Sequence, residues 1–247
     1  MPIFTVATIT RNNAQGIEKT WNSLKNQTLN DYEWLVQDAA SNDETLKFLK
    51  NTTAQTESRA DNGIYDAMNR LIERANGQYI LFLNAGDQIA DDTILETIAK
   101  TMKDQTDFIY GDAIEQTLNQ NGHLKKARNH NHITLGMFTH HQAMIYKKAA
   151  ISDLRYDLSY QIAADYKFTA QFLLQSNYSD YIPQPLCIFE SGGTSQNNTK
   201  ISRNEQYQIR KELKLCSPFK NKAITVLQFI NLIFRRLLPN LYWSLKH

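Results

Sequence analysis

ADNGIYDAMNRLIERANGQYILFLNAGD, residues 60–87, decides how the chain folds. Ile64 to Ala75 reads as a helix with Met68, Leu71 and Ile72 turned inward, and Tyr79 to Leu83 as a short central strand. The strand ends in Asn84-Ala85-Gly86-Asp87, a tight glycine-containing turn that carries a carboxylate. Working toward the N-terminus, Thr45 to Lys50 gives another helix and Tyr32 to Gln37 a strand that stops at Asp38. Ile17, Trp21 and Leu24 recur at helical spacing, and Ile3 to Thr10 is a strand rich in β-branched residues that runs into the polar loop Arg11-Asn12-Asn13. Such alternation predicts an α/β fold, a Rossmann-like, mostly parallel sheet flanked by helices. Toward the C-terminus the pattern is less regular, with strands expected at Phe108 to Gly111 and Gln142 to Tyr146 and a helix from Ala164 to Leu174. There is no internal repeat and no low-complexity linker.

The chain has 247 residues, 42% of them hydrophobic, with 9 Gly and 5 Pro, enough for one substantial core and a small appendage. A formal net charge of +2 exerts no global pull toward nucleic acid. The charge is unevenly spread, however: from Lys200 onward ten Lys or Arg face only Glu205 and Glu212, so an acidic body carries a basic tail. Cys187 and Cys216 have neither metal-ligand nor CxxC spacing, which suits a reducing compartment and argues against zinc or a disulfide framework. The opening MPIFTVATIT lacks a basic lead and enters a strand directly, so export through a cleaved signal peptide is not expected.

In open α/β sheets, ligands bind beyond the carboxyl ends of the strands, where loops and helix N-termini bring unpaired backbone donors together. Three such ends carry polar or acidic clusters: Thr8 to Asn12, Asp38 to Asp43, and Asn84 to Asp87. A carboxylate at Asp87 could hold Mg²⁺ or Mn²⁺ against a diphosphate and stabilise charge developing on a leaving group. The same residue could equally serve as a turn residue or helix cap ahead of Asp91-Asp92.

Four stretches together resemble the family 2 glycosyltransferases of GT-A fold: TVATITRNN, EWLVQDAASND, the opening stretch from Ala60 to Asp87, and HQAMIYKK followed by YQIAADYKF. The likeness covers roughly residues 3–196 and is nearest to transferases of capsule, O-antigen or colanic-acid-type polysaccharides. Carried over by position, it implies that Thr8, Arg11 and Asp38 surround the base of a donor nucleotide, with Asp61 on the ribose side. A carboxylate at Asp38 can accept the imide N–H of uracil or thymine, which favours a UDP or dTDP donor over an adenine nucleotide and leaves guanine open. Arg11 stands where relatives often carry an aromatic residue, and a guanidinium can also stack on a base. Asn84 takes the place of the first acid of an Asp-x-Asp metal motif, leaving Asp87 as metal ligand and Asn84 as a hydrogen-bonding neighbour. Asp165, at the start of the helix in YQIAADYKF, matches the catalytic base of an inverting displacement. His141, with Gln142, is placed beside the donor diphosphate or the acceptor, and Glu190 to Asn198 matches a stretch beside the active site. Turn or cap roles for Asp38, Asp61 and Asp165, a structural role for the histidines and an ordinary loop at 190–198 remain the plain alternatives.

The segment AITVLQFINLIFRRLL, Ala223 to Leu238, is apolar with Gln228, Asn231 and Arg235 on a narrow polar side. Arg235-Arg236 and Pro239 interrupt it before the ~20 residues a spanning helix needs. An in-plane amphipathic helix is expected, with Lys220, Lys222, Arg235, Arg236 and Lys246 reaching anionic headgroups and Tyr242 and Trp243 at the interface. Packing on the catalytic domain or a second subunit is the other reading, so a homo-oligomer stays open. The expected organisation is a catalytic domain over 1–199, with a nucleotide-sugar half at 1–112 and an acceptor half at 113–199, then a basic helical extension over 200–247. With the resemblance, this implies an enzyme at the cytoplasmic face of the inner membrane that glycosylates a glycan or polyprenyl-diphosphate-linked acceptor. Two rivals share parts of the pattern. A nucleotidyltransferase would need a glycine-rich phosphate loop, which Thr10-Arg11-Asn12-Asn13 lacks; a non-catalytic GT-A-like scaffold would have no need of both Asp87 and Asp165.

Overall fold

The computed structural model describes residues 1–116, 122–190 and 199–237. Its spine is a nine-stranded sheet in the order β3-β2-β1-β4-β8-β6-β9-β5, with β7 paired to β6. The strands are β1 (Phe4–Thr10), β2 (Tyr32–Asp38), β3 (Gln55–Ser58), β4 (Tyr79–Phe82), β5 (Gln88–Ile89), β6 (Phe108–Gln116), β7 (Gly122–Lys125), β8 (Met144–Lys147) and β9 (Ser179–Glu190). Between and after them lie helices α1 (Ala14–Lys25), α2 (Thr45–Leu49), α3 (Ile64–Arg74), α4 (Ile94–Thr101), α5 (Lys148–Ile151), α6 (Ala164–Gln175), α7 (Thr199–Glu212) and α8 (Pro218–Leu237).

As expected from the alternation, β1 pairs parallel with β2 and β4, and β2 with β3. Beyond β4 the sheet becomes mixed: β8 runs antiparallel to β4 and β6, and β5 antiparallel to β9, while β6 and β9 are parallel. The mostly parallel description therefore holds for the first half only. Of the antiparallel pairs only β6 and β7 are consecutive strands joined by a short connection, which favours antiparallel pairing; the others join strands distant in the chain.

Both faces of the sheet are covered, which is why its strands read as unbroken apolar runs. Along β4, Ile80 and Phe82 enter one core with Tyr65, Met68, Leu71 and Ile72 of α3 and Phe168 and Phe172 of α6. Tyr79 and Leu81, one residue out of phase, enter the other core with Ile17 and Leu24 of α1 and Ile94, Leu95 and Ile98 of α4. β6 straddles residue 112, so the two halves of the catalytic region share one continuous sheet.

The C-terminal helices are not a loose appendage. Ile209 of α7 is fully buried in the α3/α6 core. Arg210, also fully buried, donates from Nε to Asn221 Oδ1 at 2.6 Å and from Nη2 to Thr225 Oγ1 at 3.1 Å, tying α7 to α8. Gln228, read as part of a narrow polar side, donates to Leu135 O at 3.3 Å and Gln206 Oε1 at 3.0 Å, whereas Asn231 of the same side is exposed. Asn221, Thr225 and Gln228 of α8 thus face the protein, and Phe219, Val226, Leu227, Phe229 and Ile230 are exposed. Among the described residues no helix is long and apolar enough to cross a membrane. The side chains of Arg235 and Arg236, and Tyr242, Trp243 and Lys246 altogether, lie outside the described residues.

Candidate active site

The carboxyl ends of β1, β2 and β4 open on one rim, and their loops are stitched to one another. Asn13 caps α1 by accepting from Gly16 N at 3.0 Å and donates to Ala85 O at 3.3 Å. Asn12 N donates to Ser41 Oγ at 2.7 Å while Asn12 Oδ1 accepts from Asn42 N at 2.9 Å, clasping the loop after β1 to the loop after β2. Asp38, in register with Thr10 and fully buried, accepts from Ser41 N at 2.9 Å, from Ser58 Oγ at 2.6 Å and from the Ser41 hydroxyl. Its carboxylate orders the floor of this rim. Thr8 is likewise buried, donating to Leu83 O at 2.7 Å and accepting from Trp34 Nε1 at 2.9 Å, so its hydroxyl locks β1 to β2 and β4. Arg11 is exposed at the end of β1, and Asp61 is half-buried, accepting from Gly63 N at 3.0 Å just before α3.

Asp87 sits in the turn after β4, which Thr20 of α1 braces by donating to Asp87 O at 2.8 Å and accepting from Gly86 N at 3.1 Å. Gly86 has φ +105°, and a Cβ there would run into the Glu190 carboxylate, itself paired with Lys19 at 2.8 Å. The buried Asp87 carboxylate accepts from Gln142 Nε2 at 2.8 Å and from Glu190 N at 3.1 Å. Burial, with the nearby Glu190 charge, pushes its pKa up to about 7. Asn84 Oδ1 beside it is buried with no hydrogen-bond partner. A carboxylate strained toward protonation and an orphaned amide oxygen suit a hard divalent cation. Among the described residues no group of three or more His, Cys, Asp or Glu could hold a metal, so the bound diphosphate would have to complete the coordination, as is usual for Mg²⁺.

Asp165 lies in the first turn of α6, half-buried, with Oδ1 accepting from Tyr166 N at 2.7 Å. Burial, with a smaller contribution from the Glu205 charge, raises its pKa to about 6. Tyr65, at the start of α3, donates to Ile162 O at 2.6 Å and holds the entry to α6 against α3. An unbroken chain of contacts links this carboxylate with Asp87. Tyr65 stacks on Tyr156 at 5.6 Å, Tyr156 OH meets His141 Nε2 at 2.9 Å, and the next residue, Gln142, bonds Asp87.

His141 is buried among Phe82, Tyr146 and Tyr156, and desolvation lowers its pKa to about 4. It is a neutral member of this aromatic wall and offers no positive charge to a diphosphate. His140 stacks on Phe189 at 4.4 Å, facing away from it. Glu190 ends β9 beside Asp87, whereas the rest of the expected loop, residues 191–198, lies outside the described residues. The roles of Gln142 as a partner of Asp87 and of Glu205 beside Asp165 were not anticipated, since both depend on neighbours remote in sequence. A cavity of about 540 Å³ lined by His130, Ala170, Leu174 and Tyr178 lies toward the far end of α6, away from both carboxylates.

Comparisons with known proteins agree with this geometry. The PGL/p-HBAD biosynthesis glycosyltransferases of Mycobacterium bovis and Mycobacterium tuberculosis are 29% identical over 176 residues, covering 68% of this chain and 68% of theirs. Among solved structures, S. aureus TarS 1–349 in complex with UDP-GlcNAc superposes with a TM-score of 0.71 at 18% identity, over 95% of this chain and 74% of that one. The mannosyltransferase PcManGT from Pyrobaculum calidifontis, in complex with GDP-Man and Mn²⁺, gives 0.68 at 16% identity, over 96% and 72%. These two show the same fold, GT-A. The family model for Glycosyl transferase family 2 matches residues 5–168, the span from β1 into α6 that contains every residue of the rim, so the chain belongs to glycosyl transferase family 2 and is a glycosyltransferase.

Proposed function

We propose that the chain is a metal-dependent, inverting transferase that takes a sugar from a nucleotide-sugar donor, a UDP-sugar by preference, and delivers it to a glycan or polyprenyl-diphosphate-linked acceptor of a bacterial surface polysaccharide. The observation that carries this reading is the linkage of two carboxylates, the buried Asp87 and the half-buried Asp165, through one aromatic wall, where desolvation raises the proton affinity of both, to about 7 and about 6. They divide the work of a single displacement. Asp165, poised near neutrality where a general base is most effective, takes the proton of the acceptor hydroxyl as its oxygen bonds to the anomeric carbon. The bond from that carbon to the diphosphate breaks on the opposite side and its electron pair leaves with the nucleoside diphosphate, so the anomeric configuration inverts.

Asp87 and Asn84 would hold Mn²⁺ or Mg²⁺, which supplies charge stabilisation to the leaving diphosphate. Asp38, the exposed Arg11 and the half-buried Asp61 form the base and ribose side, with Thr8 acting through the strands it locks. The UDP-GlcNAc complex of TarS supports a uridine donor, and the GDP-Man and Mn²⁺ complex of the mannosyltransferase supports a cation. The exposed apolar side of α8, flanked by Lys220 and Lys222 and free of acids, supports attachment at the cytoplasmic face of a membrane, where a lipid-linked acceptor would lie.

The test is release of nucleotide from a panel of UDP-, dTDP- and GDP-sugars with lipid-linked and glycan acceptors, with and without Mn²⁺ or Mg²⁺. Metal-dependent release from one donor is expected, with a loss of at least ~10²-fold in Asp87→Ala and in Asp165→Asn. Metal-independent turnover, or full activity in Asp165→Asn, would overturn the mechanism.

A further inference from the structure

Helix α6 begins without a cap of its own. Its N-cap residue is Ala163, which has no side-chain acceptor to offer the first free N–H groups. An acceptor from α7, more than 40 residues along the chain, instead holds the segment that ends at the N-cap. Glu205 Oε1 accepts from Gln161 N at 2.8 Å, and Oε2 accepts from Ile162 N at 2.9 Å and Ala163 N at 2.8 Å. One carboxylate thus gathers three consecutive backbone donors in the segment that leads into Asp165. Two helical turns further along α7, Glu212 accepts from Lys167 Nζ at 2.5 Å and from Tyr160 OH at 2.8 Å, while Lys167 also bonds Asp157 at 2.6 Å. The two acids of the basic tail therefore both fasten onto the stretch 157–167, Glu205 at its middle and Glu212 on either side through Tyr160 and Lys167.

We infer that Glu205 is a positioning residue for glycosyl transfer: its carboxylate fixes the backbone of Gln161 to Ala163 and so sets where the Asp165 carboxylate meets the acceptor hydroxyl. The inference rests on Asp165 being the base. Glu205 lies outside residues 5–168, so membership of the family says nothing about it. It is half-buried, and its hydrogen bonds to this segment all go to backbone N–H groups, while its charge adds a smaller effect on the Asp165 carboxyl. Reaction rates are sensitive to such placement, because a displacement of ~1 Å costs about 10²-fold.

The decisive experiment compares Glu205→Ala, Glu205→Gln and Asp165→Asn in the full chain, using the panel donor that the wild type turns over and its nucleoside diphosphate as binding probe. Glu205→Ala should lower kcat by ~10- to 100-fold while donor KM and nucleoside diphosphate Kd stay within about threefold, because the rim is built from other elements. Glu205→Gln should recover a substantial part of kcat, since its amide oxygen can still accept from Ile162 and Ala163. Amide hydrogen exchange of 161–168 should rise in Glu205→Ala and much less in Glu205→Gln. A Glu205→Ala kcat within twofold of wild type would overturn the inference, and so would a loss of nucleotide binding in step with kcat, which would mark a general structural role. Asp165→Asn separates the two levels: if it is inactive while Glu205→Ala is fully active, only the positioning role falls; if it turns over normally, the assignment of the base falls first.

Discussion

At single positions, Asp165 sets the proposed function against stability, whereas Gly86 serves both. The folded-state pKa of Asp165, about 6, lies above the ordinary 3.8 of the residue, so ionising it opposes folding. That cost is absent below about pH 4, grows as pH rises through about 6, and is complete at neutral pH. Asp165→Asn, although inactive, should therefore be more stable than wild type by about 1–2 kcal/mol at pH 7.5, and the gain should vanish near pH 4. Thermal melts at the two pH values check this, and a variant less stable than wild type at both would contradict it. With Asp165 as the proposed base, catalysis should have the opposite dependence, kcat falling below about pH 6 as that carboxylate is protonated. At Gly86, φ of +105° and the overlying Glu190 carboxylate leave no room for a methyl group, so Gly86→Ala should cost about 1–3 kcal/mol and weaken donor turnover together. The places of Asp87, in the turn after β4, and of Asp165, in the first turn of α6, were legible in the sequence because each adjoins a patterned element, while the roles proposed for them came from the resemblance. The spacing of Thr8 and His141 was equally legible, but not that their polar atoms are engaged inside the protein, because Trp34, Leu83 and Tyr156 come from other elements.

Elements read from pattern alone came out where local chemistry is self-sufficient, and went unread where the partner is distant. β1, β2, α2, α3 and β4 were placed within a residue or two, the strands because burial on both faces writes a continuous apolar run, whereas the edge strand β3, mostly exposed, writes none and was missed. β9 was missed. Pro183 and Pro185 argue against a strand inside a sheet, yet β9 pairs with both β6 and β5. The register shows why it is tolerated: Gly111 opposes Ile182 but Asp112 opposes Pro185, so the extra residues bulge out where the prolines lie. α8 was read as amphipathic, with a membrane surface or protein left open as its partner, and part of its polar side turns to α7. Asn221, Thr225 and Gln228 serve the contact with α7, and Leu227, Phe229 and Ile230 are left outward. Leu227→Glu with Ile230→Glu should consequently leave the melting temperature unchanged, since exposed side chains contribute within about 0.5 kcal/mol. The same pair should reduce co-sedimentation with vesicles containing anionic lipid by ~10-fold or more if the outward face docks on a bilayer. Unchanged vesicle binding, or a shift in oligomeric state instead, would assign that face to protein.

At the scale of the whole molecule, where the catalytic unit ends becomes a physical question. The change of charge at Lys200 suggests a boundary near 199, yet the structure runs its acceptor side straight through it. Ile209 completes the α3/α6 core, Glu205 holds the entry to α6, and Glu212 balances the buried Lys167. Removing α7 would leave that ammonium with Asp157 alone, expose the core around Ile209 and free three backbone donors at once, each a change worth about 1–3 kcal/mol. Together they approach the whole stability of an ordinary domain, about 5–15 kcal/mol. Removing α8 alone is different. It takes away the buried Ile224 and uncovers the Arg210 guanidinium, but Arg210 makes no ion pair among the described residues, so water can take over from Asn221 and Thr225 at small cost. A chain ending at residue 216 should thus unfold cooperatively, bind nucleoside diphosphate and transfer to a water-soluble acceptor, while losing turnover on acceptors in a bilayer. A chain ending at residue 198 should be insoluble or melt at least 10 °C lower. If the shorter chain instead proved as stable and active as the longer one, α7 would be an accessory, and the charge boundary at Lys200 would mark the true edge of the enzyme.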